Sequence, residues 1–229
     1  MINPKSYKEI TITPGRYKKI FSICAVIVVS LHLLFLPLDF TYSLDIAQFF
    51  SVRYERNLPT FFSSLNLLIG AILGICLFAQ SKGSREKRFW AVAAVALLIM
   101  GYDEAAQIHE FYGQKIHSII FNGEPGLFAS KWLQIYIPII TAGCLYFFFE
   151  AKSLPSYKYS LIFPVFLFLS GSVGVEFINY YFSFTGGPAG IFLETVEEVF
   201  EIASIVLLNH ELLVIMSRRP NPVKIIITE

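Results

Sequence analysis

The chain has 229 residues, of which 55% are hydrophobic and 16% aromatic, and its formal net charge is only +1. This composition excludes a soluble domain with an ordinary core and indicates an integral membrane protein embedded in a lipid bilayer. The basic residues are scattered along the chain and form no concentrated patch, so nucleic-acid binding is not supported.

Six apolar segments are each long enough to cross the hydrocarbon layer as a helix. They are continuous and about twice as long as the alternating strands of a membrane β-barrel. The predicted fold class is therefore all-α, a polytopic bundle of six transmembrane helices between an N-terminal tail (1–17) and a C-terminal tail (217–229). The predicted spans cover about residues 18–37, 59–80, 89–111, 132–149, 159–182 and 190–216.

The distribution of Lys and Arg predicts the orientation of these spans. The two tails and the links after the second and fourth spans carry 14 of these residues, whereas the other links carry 4. Positive residues concentrate on the cytoplasmic side, so both termini are expected there.

The first span carries His32 in its outer half. A single histidine at such a position is more often a hydrogen-bonded packing residue than a ligand. The span is longer than the apolar region of a signal peptide and no cleavage pattern follows it, so we interpret it as a retained helix.

The third span ends in the polar sequence Asp103-Glu104-Ala-Ala-Gln-Ile-His109-Glu110. On a helix that continued through Gly113, Asp103, Glu110 and His117 would fall on one face at heptad spacing. Whether His32 and His117 join a site with the acids is left open by the sequence.

The fifth span contributes Glu176, about 9 Å from its outer end, and the sixth begins with four acids. At 100° per residue, Glu194, Glu197, Glu198 and Glu201 share one helical face. No Lys or Arg occurs between Lys158 and Arg218. Charged groups inside a membrane are costly, so the missing positive charge points to bound cations, protons or water.

With the predicted orientation, the acids of the third, fifth and sixth spans lie at one depth in the outer half of the bundle. Carboxylates and imidazole on facing helices are typical of di-iron and di-manganese bundles. The sequence thus predicts a carboxylate/His metal site, expected to be binuclear, with Fe or Mn as the cation. The predicted ligands are Asp103, His109, Glu110, Glu176, Glu194, Glu197, Glu198 and Glu201.

The chain resembles a family of uncharacterised bacterial six-span membrane proteins. The resemblance lies in Asp-Glu-x4-His-Glu on the third span, one Glu on the fifth and Glu-Glu-x-x-Glu on the sixth. The sequence Asn57-Leu-Pro-Thr-Phe-Phe-Ser63 at the start of the second span fits the same family. The resemblance covers most of the chain and implies a multi-pass protein of the bacterial inner membrane, with no established activity.

Two functions follow from a site of this kind. A metalloenzyme, an oxidoreductase or hydrolase, would act on a lipid-soluble substrate, with Glu104 as the catalytic residue that moves protons. A transporter would instead use the acids to pass protons or divalent cations. A third possibility, with neither catalysis nor transport, is an outward-facing acidic crevice that serves assembly or partner binding. Oligomeric state is not predicted.

Overall fold

The computed structural model describes residues 7–10, 13–42, 45–52, 54, 56–120, 131–151, 158–182, 184, 187–219 and 225–228, and it is almost entirely helical. One two-stranded ribbon joins the tails. The strands are β1 (Tyr7–Ile10) and β2 (Ile225–Thr228). The helices are α1 (Pro14–Tyr42), α2 (Asp45–Phe50), α3 (Leu58–Gln80), α4 (Ser84–Ala106), α5 (Ile108–Ile120), α6 (Lys131–Ala151), α7 (Lys158–Leu169), α8 (Glu176–Tyr181) and α9 (Pro188–Ser217). A π-helical turn, Ser170–Val175, joins α7 to α8.

Five stretches of this structure are helical, long and apolar enough to cross a membrane. They are Pro14–Pro37, α3, α4, Tyr159–Asn179 and α9. Their outer faces carry many exposed large apolar side chains, as expected of surfaces that contact lipid. The chain is therefore a multi-pass membrane protein. The apolar part of α6, Tyr136–Glu150, is shorter than these five, so the fourth predicted span (132–149) is not among them.

The third predicted span is not one continuous helix. Helix α4 ends at Ala106, and Gln107 adopts the left-handed conformation with φ 56° while its N–H still bonds the Asp103 carbonyl. Helix α5 then begins at Ile108. A left-handed residue turns the chain away from the axis of α4. The prediction that Asp103, Glu110 and His117 share one face of an unbroken helix is therefore wrong.

The fifth predicted span is interrupted by the π-helical turn. Such wide turns are rare and often lie at functional sites. The extra backbone per turn changes the direction in which the following residues point, and Glu176 is the first residue after it.

Helices α3 and α4 form a close antiparallel hairpin. The Ser64 hydroxyl donates to the Gly101 carbonyl at 2.7 Å. At the other end, a Cβ on Gly74 would lie 3.0 Å from the Cβ of Ala94. Small residues allow this approach, which is how apolar helices gain packing energy inside a membrane.

Helices α1 and α9 are antiparallel partners joined by two polar contacts. Near the start of α1, the Tyr17 hydroxyl donates to Asn66 Oδ1 at 2.8 Å and accepts from Asn209 Nδ2 at 2.9 Å. About four turns further along α1, His32 Nε2 lies 3.1 Å from the Thr195 hydroxyl. These bonds tie α1, α3 and α9 together inside the bundle.

The two tails meet in the ribbon. Tyr7 is opposite Thr228 and Ile10 is opposite Ile225 in an antiparallel pairing. Just inside the ribbon, Arg219 after α9 forms an ion pair with Glu86 at the start of α4. The ends of the chain are thus held together beside the α3–α4 link.

Candidate functional site

The four glutamates of α9 lie on an uninterrupted helix, so the structure keeps them on one face. All four side chains are half-buried: Glu194, Glu197, Glu198 and Glu201. Helix α9 packs against α1, α3, α7 and the π-helical turn. The acids therefore lie within the bundle and not on a fully lipid-exposed surface.

The π-helical turn comes unusually close to α9 at this level. A Cβ on Gly171 would lie 3.0 Å from the Glu197 carbonyl oxygen and 3.0 Å from the Phe200 Cβ, with the Glu201 Cγ at 3.5 Å. Only glycine leaves the two backbones this near without displacing one of them. The turn thus brings Glu176 to the acidic face of α9.

Glu197 is the centre of this carboxylate group. Its charge interacts, in decreasing order, with the charges of Glu201, Glu176 and Glu194, and all of these interactions are repulsive. Glu198 lies at the edge of the same face. We call Glu176, Glu194, Glu197 and Glu201 the α8–α9 carboxylate group.

The helices around this group bring no permanent positive charge to it. Residues 20–42 of α1, all of α3 and residues 159–217 contain no Lys or Arg. Charged carboxylates this close together need protons, a cation or water to become stable in a low-dielectric environment. The α8–α9 carboxylate group therefore lies in a part of the bundle whose helices carry acids but no Lys or Arg.

A second polar cluster lies at the corner between α4 and α5. The Asp103 carboxylate accepts from the His109 backbone N–H at 2.7 Å and from its Nδ1 at 3.0 Å. The Tyr136 hydroxyl of α6 is 3.5 Å from the same carboxylate. Because a carboxylate accepts from Nδ1, Nδ1 carries a proton.

The two clusters belong to different helix interfaces. Asp103 and His109 lie where α4 and α5 meet α6, whereas the carboxylate group lies where α8 and the π-helical turn meet α9. Among the described residues, no group of three or more His, Cys, Asp or Glu side chains is placed to hold a metal ion. The predicted ligands whose side chains are described are thus divided between two places. The side chain of Glu110 is outside the described residues.

The remaining histidines have distinct positions. The Val52 N–H donates to His32 Nδ1 at 3.3 Å, so Nε2 carries the proton that is directed at Thr195. His32 is fully buried and both its nitrogens have partners, as expected for a packing residue. His117 is fully buried on α5, beyond the break at Gln107. Glu104 is half-buried next to Asp103 on α4.

One residue of these clusters was not predicted from the sequence. Tyr136 reaches Asp103 across helices, and an isolated tyrosine near a helix end gives no signal for such a contact. Asn179, three residues after Glu176, is 5% exposed, and among the described residues its Oδ1 has no hydrogen-bond partner.

A family model described as a domain of unknown function, DUF8692, matches residues 20–215 of the chain. The match spans the region from the first turns of α1 to the end of α9, and so includes both clusters. No curated protein and no solved structure matches the chain.

Proposed function

Since the chain belongs to the DUF8692 family, whose function is unknown, we propose its function from the geometry: it binds a divalent cation inside the membrane, at the α8–α9 carboxylate group. The observation that carries this proposal is the close grouping of four glutamates among helices that supply no Lys or Arg. A hard cation with oxygen ligands compensates such a group, and Mn²⁺ or Fe²⁺ fits it best.

The members of the α8–α9 carboxylate group repel one another when they are charged, because Glu201, Glu176 and Glu194 all act on Glu197. A bound divalent ion would replace this repulsion by attraction.

The Asp103–His109 pair favours a catalytic role as the second part of the proposal. A carboxylate that fixes the Nδ1 proton of a histidine is a usual way to orient an imidazole for metal ligation or proton transfer. In this hypothesis the substrate is lipid-soluble, Glu104 assists proton transfer, and Glu110 and His109 retain their predicted role as ligands of a metal on the α4–α5 side.

We also propose that the chain crosses the membrane six times with both tails in the cytoplasm. The β1–β2 ribbon requires both tails to be on one side, so the number of crossings is even. Helix α6 is antiparallel to α4, because Phe147 contacts Phe89 with ring centroids 5.6 Å apart and Tyr136 reaches Asp103. Helix α6, the fourth predicted span, then crosses the membrane in addition to the five long apolar stretches, which makes six crossings, and the distribution of Lys and Arg orients the bundle.

The proposed cation site is tested by metal analysis of the purified protein in detergent, after incubation with Fe²⁺, Mn²⁺ or Zn²⁺. Wild type should retain one to about two equivalents of Fe or Mn. Glu197→Gln removes the central charge without changing shape, so its metal content should fall to background. The same substitution at Glu211, on α9 but bonded to His210, is the matched control and should leave metal content unchanged.

Thermal unfolding separates loss of the site from loss of the fold. Glu197→Gln relieves repulsion within the group, so the metal-free variant should melt at or above the temperature of metal-free wild type. A wild-type protein that remains empty with all three metals would contradict the proposal. Proton flux in liposomes would then test the transport alternative.

A further inference from the structure

The connection between α2 and α3 is irregular, and the proposed cation site does not use it. Its described residues are Ser51, Val52, Tyr54, Arg56 and Asn57, and none of them is helical. Arg56 adopts the left-handed conformation, with φ 60°, which is uncommon for a residue other than glycine. Tyr54 and Arg56 are exposed, whereas the other three are buried. We call these five residues the α2–α3 connection.

Contacts with α1 place the start of this connection inside the outer end of α1. The Phe50 ring of α2 stacks on Phe35, with ring centroids 4.9 Å apart, and the Val52 N–H donates to His32 Nδ1 at 3.3 Å. The chain therefore runs back along α1 from α2 onward. Since His32 is five residues before Pro37, where the apolar stretch of α1 ends, Val52 is roughly 8 Å inside that end.

The end of the connection lies deeper. Phe62, in the second turn of α3, is near Phe21 of α1, with ring centroids 6.2 Å apart. Leu58 is one turn nearer the outer side, and it packs in the cluster that contains Val28. The start of α3 is therefore level with the middle of Pro14–Pro37, the stretch of α1 that is apolar enough to cross the membrane.

One side chain satisfies much of the backbone of the connection at this depth. The Asn57 amide nitrogen donates to the carbonyls of Ser51 and Tyr54. Its Oδ1 accepts from the Thr60 N–H at 3.1 Å and so caps α3. Because backbone groups without partners are costly where water is scarce, these bonds explain how a break in the helix persists at this level.

Arg56 indicates what the exposed side of the connection faces. It lies between the level of His32, reached by Val52, and the level of Leu58. A charged side chain in contact with hydrocarbon is costly. Irregular backbone at membrane depth occurs only where it is buried in protein or lines a water-filled cavity. Since Arg56 is exposed, the second case applies to this side of the connection.

We infer that α2, the α2–α3 connection and α3 together form a discontinuous second span, and that the exposed side of the connection lines a water-filled crevice open to the outer side. This inference goes beyond the proposed cation site and does not depend on it. His32 bonds Val52 on one side and lies 3.1 Å from the Thr195 hydroxyl on the other. The crevice therefore brings small water-soluble solutes to the level of Thr195 on α9.

The test is thiol reactivity in intact cells, with single cysteines in a full-length variant without native cysteines. The reagent is a charged, membrane-impermeant methanethiosulfonate. Ile27→Cys is the matched control, because Ile27 is 51% exposed, lies between the levels of Leu58 and His32, and is on the side of α1 away from His32. A thiol in lipid does not form the reactive thiolate, so Arg56→Cys should react at least about tenfold faster than Ile27→Cys.

Phe184→Cys, in the link between α8 and α9, marks the outer side. If it reacts only after the cells are permeabilised, the same comparison of Arg56→Cys with Ile27→Cys is made in permeabilised cells, so the result does not depend on which way the bundle faces.

Two results would overturn the inference. If Arg56→Cys is as unreactive as Ile27→Cys, and both react after denaturation, no water-filled crevice reaches the connection. If both react equally fast, this level of α1 lies outside the membrane and the second span is not discontinuous. Should Arg56→Cys fail to fold, Tyr54→Cys decides by the same criteria, since Tyr54 is 40% exposed in the same connection. Metal content is a separate measurement, so failure of the crevice and failure of the cation site are distinguishable.

Discussion

Gly171 determines how closely the π-helical turn approaches α9, and its effect can be tested by adding a single methyl group. In Gly171→Ala the new Cβ would meet the Glu197 carbonyl oxygen and the Phe200 Cβ at 3.0 Å. These are backbone and near-backbone atoms, so the helices must separate. We expect the free energy of unfolding to fall by about 1–3 kcal/mol. Thermal unfolding in detergent measures it.

Gly174→Ala is the control for this prediction. Gly174 lies in the same turn, but a methyl group added there would have the Leu169 carbonyl oxygen as its nearest neighbour, at an ordinary contact distance of 3.9 Å. This variant should melt at or slightly above the wild-type temperature, because alanine has fewer unfolded conformations than glycine. Equal melting temperatures for the two variants would show that the turn does not press on α9.

At the level of elements, the break at Gln107 separates α4 from α5 and places His109 beside Asp103. A β-branched residue tolerates the left-handed conformation poorly, so Gln107→Val should lower stability by about 1–2 kcal/mol, while Gln107→Gly should preserve or raise it. The measurement is again thermal unfolding. A valine variant as stable as the glycine variant would indicate that α4 and α5 form one helix.

The sequence predicts elements well where periodicity alone determines the geometry. The four glutamates of α9 share a face because residues spaced by three and four do so on any regular helix. The break at Gln107 was not predictable, since glutamine carries no preference for the left-handed region. The π-helical turn likewise depends on packing of Gly171 against α9, a contact between helices that local sequence does not encode.

At the level of the whole molecule, the even number of crossings can be tested by labelling. In a variant without native cysteines, single cysteines at Thr13, Gly83 and Arg218 should react with a membrane-impermeant maleimide only after the cells are permeabilised. Phe184, in the link between α8 and α9, should react as a cysteine variant in intact cells. The pairing of the tails beside the α3–α4 link puts the first three positions on one side, and the distribution of Lys and Arg predicts that this side is cytoplasmic.

One labelling result would contradict the even number of crossings, and it concerns the two tails. If cysteines at Thr13 and Arg218 react from opposite sides, the chain has an odd number of crossings, α6 is not a span, and the ribbon does not form in the membrane. The sequence alone predicts six spans from length, hydropathy and the distribution of Lys and Arg, and the pairing of the tails gives an independent physical reason for an even number.

The partnership of α1 with α9 has a consequence for biosynthesis. The first helix to leave the ribosome carries Tyr17 and His32, whose partners Asn209 and Thr195 are 192 and 163 residues later in the chain. At about 5–20 residues per second, these partners follow roughly 10–40 s later. During that interval Tyr17 and His32 can form their bonds to Asn66 and Val52 but lack those to α9, so assembly is completed only when the last helix arrives.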